Sequence, residues 1–156
     1  MKNIIHYFYM VVVALWVGGM ASFTFVITPR IFSHYDRDAA GQILDALIPL
    51  YFPYNFVLSV LTVVLLLLMW RGWAGHAHRI SVALTFLAAS IALYVMFIRY
   101  PEIMEIKRQV TSFVDMPPDM EPRASFRRLH AVSAMLNLAQ LSIGMVLLYL
   151  GRLFFR

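Results

Sequence analysis

The chain has no cysteine. Disulfides and thiolate metal sites are therefore excluded, and cysteine usage says nothing about redox compartment. Charge is also scarce. Only 13% of the 156 residues are Asp, Glu, Lys or Arg, where a soluble domain carries about 25%. Acids are the scarcer sign, eight against thirteen Lys and Arg. That basic balance would suggest nucleic acid in a soluble chain. In a chain that is 62% hydrophobic, with mean hydropathy +0.75, it reads as arginines at membrane boundaries. GxSxG, Walker, GxGxxG and HExxH signatures are all missing, so nothing argues for catalysis. There is no internal repeat. The length suits one domain and not two.

Four apolar segments are present, and a bilayer crossing needs about 20 residues. They run from about Ile4 to Thr28, Ile48 to Trp70, Ile80 to Ile98 and Arg127 to Leu150. The first is too long for a signal-peptide core and leads into "TPRIF", so it reads as a retained span. Backbone facing lipid must satisfy its polar groups internally. The expectation is an all-α, integral membrane four-helix bundle, one four-span transmembrane domain over 1–156. The short link "RGWAGHAHR" makes the second and third helices antiparallel neighbours. The first link reads as partly helical, starting near Asp36 or Asp38, and Pro49 and Pro53 are expected to break the second helix and free carbonyls. In "PEIMEIKRQVTSFVD", Ile103, Ile106, Val110 and Phe113 share one face. That spacing predicts an interfacial helix between helices three and four.

Four crossings put both termini on one side, with the link between helices two and three. That side carries Lys2, Arg71, Arg79, Arg152 and Arg156 and no acid; the other carries all eight acids and the remaining basic residues. Raw counts of Lys and Arg favour the acid-bearing side as cytoplasmic. Density close to the membrane favours the termini, and the expectation is cytoplasmic termini in an inner or plasma membrane. The lipid bilayer is the expected partner and nucleic acid is not; a second copy or another membrane protein stays open.

Topology also sorts the histidines. His6, His76 and His78 fall on the terminal side, His34 and His130 on the other. A bis-histidine haem between His6 and His130 would have to bridge nearly the whole bilayer and is rejected. Same-side pairings survive, His6 with His76 or His78 and His34 with His130. Imidazole suits copper, nickel or zinc, and Met10, one turn from His6, makes copper the metal of choice for the terminal-side group. The alternative is that His76 and His78 are solvated and His6 is interfacial.

Two helical stripes stand out. In helix one, Ala14, Gly18 and Ser22 form a small-residue ridge that predicts close helix contact at Gly18. His6, Met10, Val13, Val17, Met20 and Thr24 line the opposite edge, with Trp16 adjoining. In helix four, His130, Ser133, Asn137 and Gln140 form one polar face, preceded by Arg127 and Arg128. Polar groups in hydrocarbon turn inward and find partners. One reading is a polar cavity entered from the acid-bearing side, with His130 at its mouth. The other is interhelical glue, worth about 0.6 kcal/mol per bond. Asn55 is the lone amide expected in helix two, and Asp45 with Arg99 is a candidate boundary ion pair.

The stretches "LWVGGMASFTFVITPRIF", "LIPLYF" and "FRRLHAVSAMLNL" resemble the transmembrane protein 205-like family, part of a broader group of small four-helix membrane proteins related to the copper-resistance D proteins. The similarity runs in the same order over nearly the whole chain. It implies a four-helical membrane protein whose activity is poorly defined. It also implies a histidine early in helix one, matched by His6, and an Arg-x-x-His-x-x-Ser-x-x-x-Asn-like signature, matched by Arg127, His130, Ser133 and Asn137. The distant copper relationship favours metal handling; the "GHAHR" loop matches no family motif. Two functions follow from residues and resemblance together. One is handling of a small ligand, metal ion or haem through the polar stripe and histidines. The other is a structural or accessory role in which the stripe serves packing.

Overall fold

Lipid-length apolar runs should form helices because only a helix satisfies every backbone group within its own segment. The computed structural model, which describes residues 2–70 and 75–155, has four helices long and apolar enough to cross a membrane: Asn3–His34, Arg37–Met69, His76–Lys107 and Arg123–Gly151. The chain is an all-α, multi-pass membrane helix bundle. Among the described residues there is no strand. Arg71, Arg156 and the Lys2 side chain, assigned above to the terminal side, lie outside what is described. Helix one packs against helices two and four, and helix three packs against the same two.

Helix two starts where Asp36 caps it, its carboxylate accepting the Ala39 N–H at 2.8 Å. The cap satisfies one of the orphan donors of the first turn. The helix then runs unbroken through Pro49 and Pro53, so the expected break is not there. Each proline removes one N–H, but packed neighbours and local adjustment keep a membrane helix continuous.

Distortion appears instead in helices one and three. Phe23–Ile27 and Val95–Arg99 are π-helical, closed by Thr28 N–H on the Phe23 carbonyl and Tyr100 N–H on the Val95 carbonyl. Pro29 and Pro101 follow immediately. A proline ring collides with the carbonyl four residues back. A turn widened by one residue moves that carbonyl aside, so the same device precedes both prolines.

The segment assigned to an interfacial helix is helical over Tyr100–Lys107, but as a continuation of helix three. Beyond it the chain turns back, because Asp38 takes the Ser112 hydroxyl at 2.7 Å and the Phe113 N–H at 2.6 Å. Arg99 pairs with Glu102 at 2.8 Å, not with Asp45. Asp45 is taken by Lys107 at 2.6 Å, one helix across.

The terminal half of the bundle holds the packed core. His6, Tyr9, Val13, Trp16 and Met20 are fully buried along helix one, against Leu66, Leu141 and Leu147. This edge is rotated slightly from the expected one, toward Tyr9 and Trp16. Ser59 and Thr62 on helix two and Ser81 and Thr85 on helix three are fully buried as well. Each returns its hydroxyl to a carbonyl three or four residues back, which removes the cost of burying it.

Gly18 does not make the close contact that the ridge predicted. A Cβ built there meets nothing within 4 Å, and Ala14 and Ser22 are exposed beside it. The tight glycines lie elsewhere. Gly19 receives the Tyr54 ring, Gly144 receives Val17, and Gly151 receives Met10 and Tyr9. Small residues thus do mark close approach, but mainly on helix four.

Candidate functional site

The other half of the bundle is hollow. Between the two π-helical turns and the start of helix four lies a cavity of about 710 Å³. Its deep end is formed by Asn55, Ala92, Asn137 and Gln140. Its walls are mainly apolar, among them Phe23, Phe52, Val95 and Ile103, and its mouth carries Arg37, Lys107, Arg123 and Arg127. From Arg127 to Gln140 is thirteen residues of helix, about 20 Å at 1.5 Å per residue.

All five residues singled out on helix four, Arg127, His130, Ser133, Asn137 and Gln140, line this cavity. They do so in different ways. Gln140 is buried at the deep end and donates to the Ala88 carbonyl at 2.9 Å. Asn137 ties three helices together. Its Nδ2 donates to Thr24 Oγ1 at 2.9 Å, and its Oδ1 accepts from the Tyr51 hydroxyl at 2.5 Å. His130, nearer the mouth, stacks on Phe126 with ring centroids 5.7 Å apart and planes within 8°. Arg127 is exposed and lies 3.4 Å from Asp119.

Two polar atoms on the wall are buried without a partner among the described residues, Ser133 Oγ and Asn55 Oδ1. Asn55 is 3% exposed. Its Nδ2 donates to the Tyr51 carbonyl at 2.9 Å, which fixes the amide and leaves the oxygen as the open acceptor.

Sequence reasoning missed Thr24 and Tyr51 as partners of the stripe, and it missed Arg123 and Arg37 at the mouth. Thr24 falls on the edge of helix one opposite the small-residue ridge, but no signal in one chain pairs it with Asn137. Tyr51 reads as an aromatic among aromatics. Arg123 follows a proline-rich stretch, and the Pro122 before it is a familiar punctuation of helix starts.

The terminal-side residues considered for metal behave otherwise. His6 is buried with Nε2 2.9 Å from the Gly151 carbonyl, and Met10 packs near Gly151. His78 is buried edge-on to Trp70, and His76 is exposed in the first turn of helix three. Among the described residues, no group of three or more His, Asp or Glu converges closely enough to hold a metal ion. On the acid-bearing side, His34 is turned to Ser33 and the Arg30 carbonyl.

Residues 11–112 match the model of a family described as Domain of unknown function (DUF4149). The chain belongs to this family. The match spans the first three helices from Val11 and ends before helix four begins, so it includes Thr24, Tyr51, Asn55 and Lys107 on the cavity wall. No curated protein and no solved structure matches the chain.

Proposed function

We propose that this DUF4149 protein is a membrane-embedded binding protein for a small, largely apolar molecule that enters from the acid-bearing side. One observation carries the reading. The polar stripe of helix four, instead of being zipped to a neighbour along its length, borders a cavity whose lining includes Asn55 and Ser133, and the buried Asn55 Oδ1 and Ser133 Oγ have no partner among the described residues. A volume near 710 Å³, apolar walls and a few convergent polar groups are the usual make-up of a small-molecule site. The bonds of Asn137 and Gln140 favour a second reading, in which the stripe is packing glue alone. That reading accounts for those two residues and leaves Ser133, Asn55 and the volume unexplained.

Copper or haem handling is the narrower version of the proposal. His130 on the wall supports it; the separation of His34 from the cavity and the engagement of His6 with Gly151 do not. Kinship with the transmembrane protein 205-like and copper-resistance D proteins belongs to the same proposal, as do cytoplasmic termini.

The test is to purify the wild-type chain and the Ala134→Trp variant in lipid nanodiscs, extract them and compare the bound small molecules by mass spectrometry. Ala134 is exposed on the cavity wall, so an indole there fills volume without displacing packed neighbours. A molecule near one per chain in the wild type and depleted in the variant is expected. Identical extracts from two equally folded proteins would overturn the reading.

A further inference from the structure

Resting on that binding reading, we propose that the ligand is an anionic amphiphile. Its carboxylate or phosphate is held at the mouth by Arg123, with Arg37 and Arg127 beside it, and its apolar body lies along the cavity toward Asn55.

The argument starts from Arg123. It is 8% exposed, lines the cavity and donates to the Met116 carbonyl, a neutral acceptor. Among the described residues, no carboxylate lies within ion-pair distance of it. Asp38 is within electrostatic reach of it but forms no close pair with it. A buried guanidinium without a close counter-charge is costly to keep, and five donors in a rigid fork suit a carboxylate or phosphate. The surrounding charge points the same way. Of the four cations on the wall, Lys107 is neutralised by Asp45 at 2.6 Å. Arg37 has no ion-pair partner among the described residues, and Arg127 has only exposed Asp119 at 3.4 Å. Asp38, whose charge Arg123 feels, spends both its oxygens on Ser112 and Phe113.

The remainder of the cavity selects the rest of the molecule. A free phosphate ion would not use walls of Phe23, Phe52, Val95 and Ile103. A neutral lipid would leave Arg123 without a close counter-charge, and a cationic one would be repelled. An anion with a long apolar body answers both features.

The experiment uses the full chain in phosphatidylcholine nanodiscs, titrated with hexadecanoate, hexadecyl phosphate, hexadecanol and hexadecyltrimethylammonium and read by native mass spectrometry. The two anionic probes should bind at one per chain, and about tenfold tighter than hexadecanol, the size expected for a charge-assisted bond. Arg123→Gln should remove that advantage and leave hexadecanol unchanged. The double variant Arg37→Gln/Arg127→Gln, at two exposed positions, should weaken the same probes if the buried substitution fails to fold. Phosphatidylglycerol added to the nanodisc separates two sources of the same chemistry: competition identifies a bilayer lipid, and no competition identifies a free single-chain acid. Hexadecanol or the ammonium probe binding as tightly as the anions, with loss in Ala134→Trp, would overturn the anionic class and keep the cavity reading. Anion binding unchanged by Ala134→Trp would overturn both.

Discussion

Two glycines of this bundle should respond oppositely to the same substitution. Gly18→Ala adds a methyl group where nothing lies within 4 Å. It should gain helix propensity, about 1 kcal/mol at most. Gly144→Ala gains the same propensity but places Cβ 2.6 Å from Val17 Cγ2. Ordinary carbon contact is about 3.5–4.0 Å, so one side must give by about 1 Å. Val17 is poorly able to do so, because a β-branched side chain in a helix has one strongly preferred rotamer. Overpacking of this kind costs about 1–3 kcal/mol. The two variants should therefore differ by about 1–3 kcal/mol, with Gly144→Ala the less stable. At about 2–4 °C per kcal/mol for a chain of this size, thermal unfolding in detergent should separate them clearly. Val17→Ala should relieve the cost, so Gly144→Ala should be milder in that background; the double-mutant cycle measures this coupling directly. A Gly144→Ala variant as stable as Gly18→Ala would refute the close approach of helices one and four at this point.

Asn137→Ala removes the bonds to Thr24 and Tyr51 and should cost about 1–3 kcal/mol, at 0.6–1.7 per interhelical bond; chemical denaturation in detergent checks it, and an unchanged midpoint would count against the three-helix tie. Single cysteines at positions 76 and 119 should label from opposite membrane faces with an impermeant reagent, and labelling from one face would defeat the four-span topology. Hydrogen bonding by Ser125, with Arg128 beside it, holds the Glu121 carboxylate below its ordinary range. A depressed carboxylate contributes stability at neutral pH that is lost as pH falls through its folded value. Thermal stability should therefore decline on acidification below the ordinary carboxylate range, and Glu121→Gln should flatten that part of the profile. An identical profile in the variant would remove Glu121 as the cause.

What the sequence determined by itself is the set of properties that depend on one helix at a time. Length and apolarity decide that a segment crosses the bilayer, since unsatisfied backbone cannot face lipid. The 3.6-residue period decides that His130, Ser133, Asn137 and Gln140 share a face. Tertiary structure alone decided how each helix is rotated against its neighbours. Ala14, Gly18 and Ser22 promised a close contact by their spacing, but packing instead brought helix one against Gly144 and Gly151, which carry no such run of small residues. The same holds for Asp45, which lies within reach of cations on another helix and is taken by Lys107 rather than Arg99. The cavity is the least legible feature of all. It arises where two π-turns, each accommodating a proline, flank a polar face that is only partly paired, and no periodicity in a single chain reports the volume left between four helices.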